Sequence, residues 1–116
     1  MWMTDPKIMC RKHLLGEHVE IHMFIGTIKR NKRITGYIEN NLIEMTSLLS
    51  RHKELADEMK RRGMNHKTDI DEKELKKFMK QYDETTVNYK IDRKRSKKEL
   101  LKRCNECGIK QKSKKI

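Results

Sequence analysis

The chain has 116 residues, 34% of them hydrophobic and 40% charged, with a formal net charge of +12. That length suits one modest domain with an economical core; no run of 18 apolar residues is present to span a membrane, and the N-terminus lacks the apolar stretch of a secretory signal, so a cytoplasmic protein is expected. Residues 1–66 carry 12 Lys/Arg against 8 Asp/Glu, a net of +4, and residues 67–116 carry 17 against 9, a net of +8, an excess that points to a polyanionic partner, nucleic acid foremost.

Taken in order, Trp2 is an unusual residue so near a terminus: it pins the N-terminus into the fold or stacks on a base. Asp5-Pro6 reads as an N-cap followed by proline at the first helical position, where the missing N–H costs nothing. A first helix is predicted from Pro6 to Phe24 or somewhat beyond. At 100° per residue His13, Glu17 and Glu20 share one narrow face, while Leu14, Leu15, Val19, Ile21, Met23 and Phe24 supply apolar surface to seat the helix. A carboxylate on such a face is solvated, paired or used in chemistry. Gly16 is either tolerated inside this helix or lets another backbone approach.

Gly26 to Ile43 reads as a connector pinned by Ile34, Tyr37, Ile38, Leu42 and Ile43, in preference to a short hairpin. Its basic cluster, which includes Arg30 and Arg33, faces solvent or a phosphate. Thr46 or Ser47 caps a helix over about 47–62, with Leu48, Leu49, His52, Leu55, Ala56 and Met59 recurring at three and four residues. Arg61 and Arg62 suit its C-terminal dipole and Gly63 its C′ position. After a polar loop containing His66, Asp71 caps a helix to about Tyr82 with Glu74 at its third position. Val87, Tyr89 and Ile91 alternate as a short extended segment, and Ser96-x-x-Glu99 opens a last helix. The expectation is an all-α protein of about four helices, a single domain over 1–107 with a basic tail over 108–116.

Three cysteines in a chain without a secretion signal argue against a disulfide framework. Cys104 and Cys107 form a CxxC, half of a four-cysteine zinc site, and no second such pair exists in the chain. His18 and His22 form an HxxxH pair whose third ligand would have to come from elsewhere; contacts to DNA or to a neighbouring helix are expected of them. No metal or other cofactor is therefore expected. A carboxylate on an anchored helix beside basic residues can act as a general base or stabilise a developing cation, and Glu20, flanked by Val19 and Met23, is the better placed of the two.

RKHLLGEHVE followed by SLLSRHKELADEMKRRGMNH resembles the pyrimidine-dimer DNA glycosylase/AP-lyase family of the phage endonuclease V type. His13, Leu14, Glu17 and Glu20 match the family's H-L-x-x-E-x-x-E, and Arg61 or Arg62 with Gly63, Met64 and Asn65 match its second pattern. MWMTDPK is similar to the opening of bacterial and phage relatives. The resemblance covers roughly residues 1–66. It implies a compact helical enzyme, monomeric and in the host cytoplasm if viral, that flips a nucleotide out of damaged double-stranded DNA at a pyrimidine dimer or abasic site. The N-terminal amine attacks the sugar C1′ to release the base, and the Schiff base then undergoes β-elimination. On this basis Met1, Glu20 and His13 are the implied catalytic residues. Trp2, Arg11, Lys12, Arg30, Arg33, Arg61 and Arg62 are the candidate DNA contacts.

Two positions depart from the pattern. The family uses the amine left after removal of the initiator methionine, whereas bulky Trp2 favours retention of Met1, so either the Met1 amine serves or the natural start differs. Arginines flank the family's catalytic glutamate where this chain has Val19 and Met23. The alternative is a basic helical nucleic-acid-binding protein that keeps the fold without the activity.

Overall fold

The computed structural model describes residues 1–64 and 70–109, and among these every regular element is helical. Six α-helices follow in order: α1 Arg11–Lys29, α2 Thr35–Glu39, α3 Leu48–Arg61, α4 Glu72–Met79, α5 Glu84–Asn88 and α6 Arg93–Arg103. The all-α expectation holds, with more and shorter helices than four. Residues 105–109 add one more helical turn, so the part of the expected tail at 108–109 is structured; residues 110–116, His66 and Asn65 lie outside the described residues.

The first helix starts later than expected and runs beyond Phe24 to Lys29, as the expectation allowed. Asp5 does cap and Pro6 does stand at N1, but they open only a 3-10 turn, Pro6–Ile8, after which Met9 is extended. The break has a packing cause. Ile8, Met9 and Cys10 are all buried, and three consecutive residues cannot share one stripe of a helix. The carbonyls of Pro6 and Met9 instead accept from Arg62 Nη2, at 3.0 and 2.7 Å. From Arg11 the helix runs 19 residues, burying Leu14, Ile21, Phe24, Ile25 and Ile28 against α3 and α4. Gly16 is exposed, and a Cβ there would meet nothing within 4 Å. It is therefore tolerated rather than required by packing within the chain.

α3 buries Leu48, His52, Leu55, Ala56 and Met59, five of the six positions marked by its periodicity, and leaves Leu49 half-buried. It ends in a Schellman motif: Gly63 takes φ +78, the Gly63 N–H donates to Lys60 O and the Met64 N–H to Met59 O, which satisfies carbonyls the helix leaves open. Asp71 caps α4 through the Glu74 N–H at 3.1 Å, as expected, though the helix stops at Met79. The connector contains α2 and no strand.

Two later assignments are corrected. Val87 is helical rather than extended, because Asp83 accepts from the Thr86 N–H at 2.7 Å and nucleates α5; extended backbone begins only at Tyr89. The cap of α6 is Asp92, which accepts from the Arg95 N–H at 3.1 Å. Ser96 therefore lies inside the helix and is buried. One core cluster joins both ends of the chain, from Met1, Met9 and Cys10 to Leu100, Cys104 and Cys107.

Candidate active site

Glu17 and Glu20 are three residues apart on α1 and face different partners. The Glu17 carboxylate is fully buried. Arg51 of α3, itself 1% exposed, meets it with Nε and Nη2, the latter 2.9 Å from Oε1. Arg51 Nη1 donates to Thr4 O at 2.7 Å, and Glu17 Oε1 accepts from the Trp2 N–H at 3.0 Å. The buried ion pair thus fixes the backbone of residues 2 and 4. Neither glutamate is simply left to solvent: the Glu20 carboxylate, a third exposed, accepts from the Met1 amine.

That amine also donates to Leu42 O at 2.8 Å. The Met1 side chain is wholly buried, with Sδ 3.4 Å from the Glu44 N–H. Trp2 is held at its carbonyl too, by the Ser96 hydroxyl of α6. The first two residues are therefore set between α1, the loop at Leu42 and α6, and both readings of Trp2 stay compatible with its position, since its backbone is pinned while the residue lines a cavity.

The cavity measures about 390 Å³, large enough for a nucleoside-sized group. Met1, Trp2 and Glu20 form one side; Asn40, Asn41 and Leu42 another; and Arg95, Ser96, Glu99 and Arg103 of α6 the third. Arg103 pairs with Glu99 at 2.6 Å, and Arg95 is exposed at the rim. Val19 and Met23 are 66% and 44% exposed, so positive charge reaches this cavity from α6 rather than from α1.

Sequence reasoning brought Met1, Trp2 and Glu20 to one place and missed the wall from α6. The signal available for that wall was the +8 carried by residues 67–116. None of Arg11, Lys12, Arg30, Arg33, Arg61 and Arg62 lines the cavity. The first four are exposed near the two ends of α1. Arg61 and Arg62 both bond the Glu58 carboxylate, and Arg62, with its two backbone carbonyls, is built into the fold. His13 is also away from the cavity lining: its Nδ1 lies 3.1 Å from Cys10 Sγ and 3.9 Å from Cys107 Sγ, and its ring meets the edge of Trp2 with centroids 6.0 Å apart. His18, His22 and His52 come together, their ligand atoms within 4.8 Å of one another, so His52 stands where the HxxxH pair lacked a third group.

Glu44 secures the bed under Met1. Burial pushes its carboxyl up, but hydrogen bonds from Arg93, Ser47 and the Ile91 N–H together outweigh this and hold it at about 2. Hydrogen bonding from Arg61, then from Arg62, holds Glu58 at about 2 against its burial. Both carboxyls sit below their ordinary 4.5. Their contribution is thus complete above that value and lost as pH falls through it toward about 2. Urea-melt stability measured across this window is expected to fall for the wild type and to fall less steeply for Glu44→Gln; equal slopes would mean the Glu44 contacts are not formed in solution.

Comparison with curated proteins and with solved structures yields no match. Residues 1–72, which supply the amine, both glutamates and Arg51, match the family described as pyrimidine dimer DNA glycosylase, and the chain belongs to that family.

Proposed function

We propose that the protein is an enzyme with two linked activities, excising a damaged pyrimidine from double-stranded DNA and cutting the strand at the abasic site, with the Met1 amine as nucleophile. The observation that carries this reading is the contact between that amine and the Glu20 carboxylate in the lining of a nucleoside-sized cavity. An α-amine needs only one proton removed to become nucleophilic. Attack on C1′ forms a C–N bond, and the glycosidic bond breaks with its electrons leaving on the base, which takes up a proton. Glu20 accepts the proton shed by the attacking amine and returns it to O4′ as the C1′–O4′ bond breaks, opening the sugar ring to the imine. Loss of a C2′ proton then expels the 3′ phosphate by β-elimination.

The burial of the Met1 side chain favours Met1 over a processed residue 2, because its sulfur and methyl fill a pocket already floored by Glu44. The cavity's α6 wall gives the DNA backbone Arg95 and Arg103, a substitute for cations absent at Val19 and Met23. Extrusion of the target nucleotide is the way a sugar stacked inside a duplex reaches this amine.

Borohydride reduction during incubation with ultraviolet-damaged or abasic duplex tests the proposal. The wild type is expected to become covalently linked to DNA, with the DNA-bearing tryptic peptide spanning residues 1–7. Absence of a trapped complex on either duplex, with DNA binding retained, would leave the non-catalytic binding protein as the correct reading.

A further inference from the structure

We propose that Cys10, His13, Cys104 and Cys107 form a structural Zn²⁺ site that clamps the C-terminal segment to the start of α1. The four ligand atoms lie within 4.8 Å of one another. Counting cysteine pairs missed this arrangement, because the second half of the site is a C-x-x-H. Cys10 and His13 stand one turn apart at the N-terminus of α1, and Cys104 and Cys107 one turn apart across the break between α6 and residues 105–109. Three residues of separation at a helix start aim both side chains of each pair at one point.

The spacing fits a tetrahedral ion. Zn–S bonds of about 2.3 Å and Zn–N bonds of about 2.0 Å imply S···S edges of roughly 3.8 Å and S···N edges of roughly 3.5 Å. Cys10 Sγ is 3.7 Å from Cys104 Sγ, and His13 Nδ1 is 3.1 and 3.9 Å from the sulfurs of Cys10 and Cys107. All three cysteines are buried and unbridged. Backbone N–H groups already point at the sulfurs, Cys10 N–H to Cys107 Sγ at 3.1 Å and Cys107 N–H to Cys104 Sγ at 3.5 Å, as suits thiolates whose remaining lone pairs need donors. Four protein ligands leave no open coordination position, the mark of a structural rather than a catalytic zinc. On binding, each ligating thiol gives its proton to solvent, and His13 binds through Nδ1 as the neutral ring.

The clamp joins residues about ninety positions apart and lies partly beyond residue 72, where the family match ends. Arg103, next to Cys104, lines the cavity, and Trp2 rests on the His13 ring. A metal here therefore sets two walls of the candidate active site from outside it.

Full-length protein expressed with zinc and purified under reducing conditions is expected to contain one zinc per chain. Replacing zinc with Co²⁺ should give the near-ultraviolet thiolate-to-cobalt charge-transfer band and the intense visible bands of a tetrahedral site. Cys107→Ser should lose both metal and band, and chelation of the wild type should lower Tm until Zn²⁺ is restored. His52→Gln should retain the metal. Should Cys107→Ser fail to fold, the cobalt spectrum of the wild type decides alone. The proposal is overturned if the reduced wild type binds no zinc, if cobalt gives no thiolate band, or if metal is lost from His52→Gln and kept by Cys107→Ser.

Discussion

Arg51→Met is expected to destabilise the fold by about 3–5 kcal/mol, the cost of leaving a buried carboxylate without its partner. The Glu17 side chain has no exposure to recover solvation, and after the substitution only the Trp2 N–H, among the described residues, remains bonded to it. Thr4 O loses its donor as well. Arg51→Lys is not a conservative rescue, since one ammonium cannot span two carboxylate oxygens and a carbonyl. The double variant Glu17→Leu/Arg51→Met should recover part of the loss, because the stranded charge is gone, yet not all of it, because the Trp2 N–H and Thr4 O stay unsatisfied at about 1–3 kcal/mol each. Equilibrium urea unfolding measures all of these. A single-variant loss below about 1 kcal/mol would mean that water reaches Glu17. The destabilisation has a functional edge, since the pair holds Trp2 and thereby the amine one residue before it.

Arg51 also shows what the sequence could and could not reveal. Periodicity put α3 in place and Gly63 ended it, since capping and amphipathic spacing are local and legible within a few residues. On α1 the shared face of His13, Glu17 and Glu20 was visible by the same means. Their separate fates were not, because Glu17 is decided by a residue 34 positions away, Glu20 by one 19 positions before it and His13 by a cysteine 94 positions after it. Ser96 misled for the opposite reason. Its S-x-x-E spacing met the pattern of a capping box, but Asp92 stood one turn earlier and took the cap, freeing the Ser96 hydroxyl to bond the Trp2 carbonyl. The break at Met9 was hidden by a correctly placed Asp-Pro signal, because tertiary burial of Ile8, Met9 and Cys10 prevailed over local propensity.

Glu20→Gln is expected to lower strand cleavage at an abasic site by about 10²–10⁴-fold, the range for losing a positioned proton carrier, with duplex binding little changed. The amide keeps the size of the carboxylate and one oxygen that can accept from the Met1 amine, so the N-terminus should remain seated through Leu42 O and the buried Met1 side chain. What it removes is the capacity to take a proton from the amine and to return one during the imine steps. The loss should therefore appear in kcat rather than in the salt-dependent DNA affinity, which depends on phosphate contacts. Glu17→Gln gives the contrast needed: three residues away on the same helix, it should lose stability through its bond to Arg51 before it loses turnover in the folded fraction. A Glu20→Gln protein that cleaves at the wild-type rate would reduce the amine–carboxylate contact to an anchor for the N-terminus, and the proton would then have to leave by solvent through the open side of the cavity.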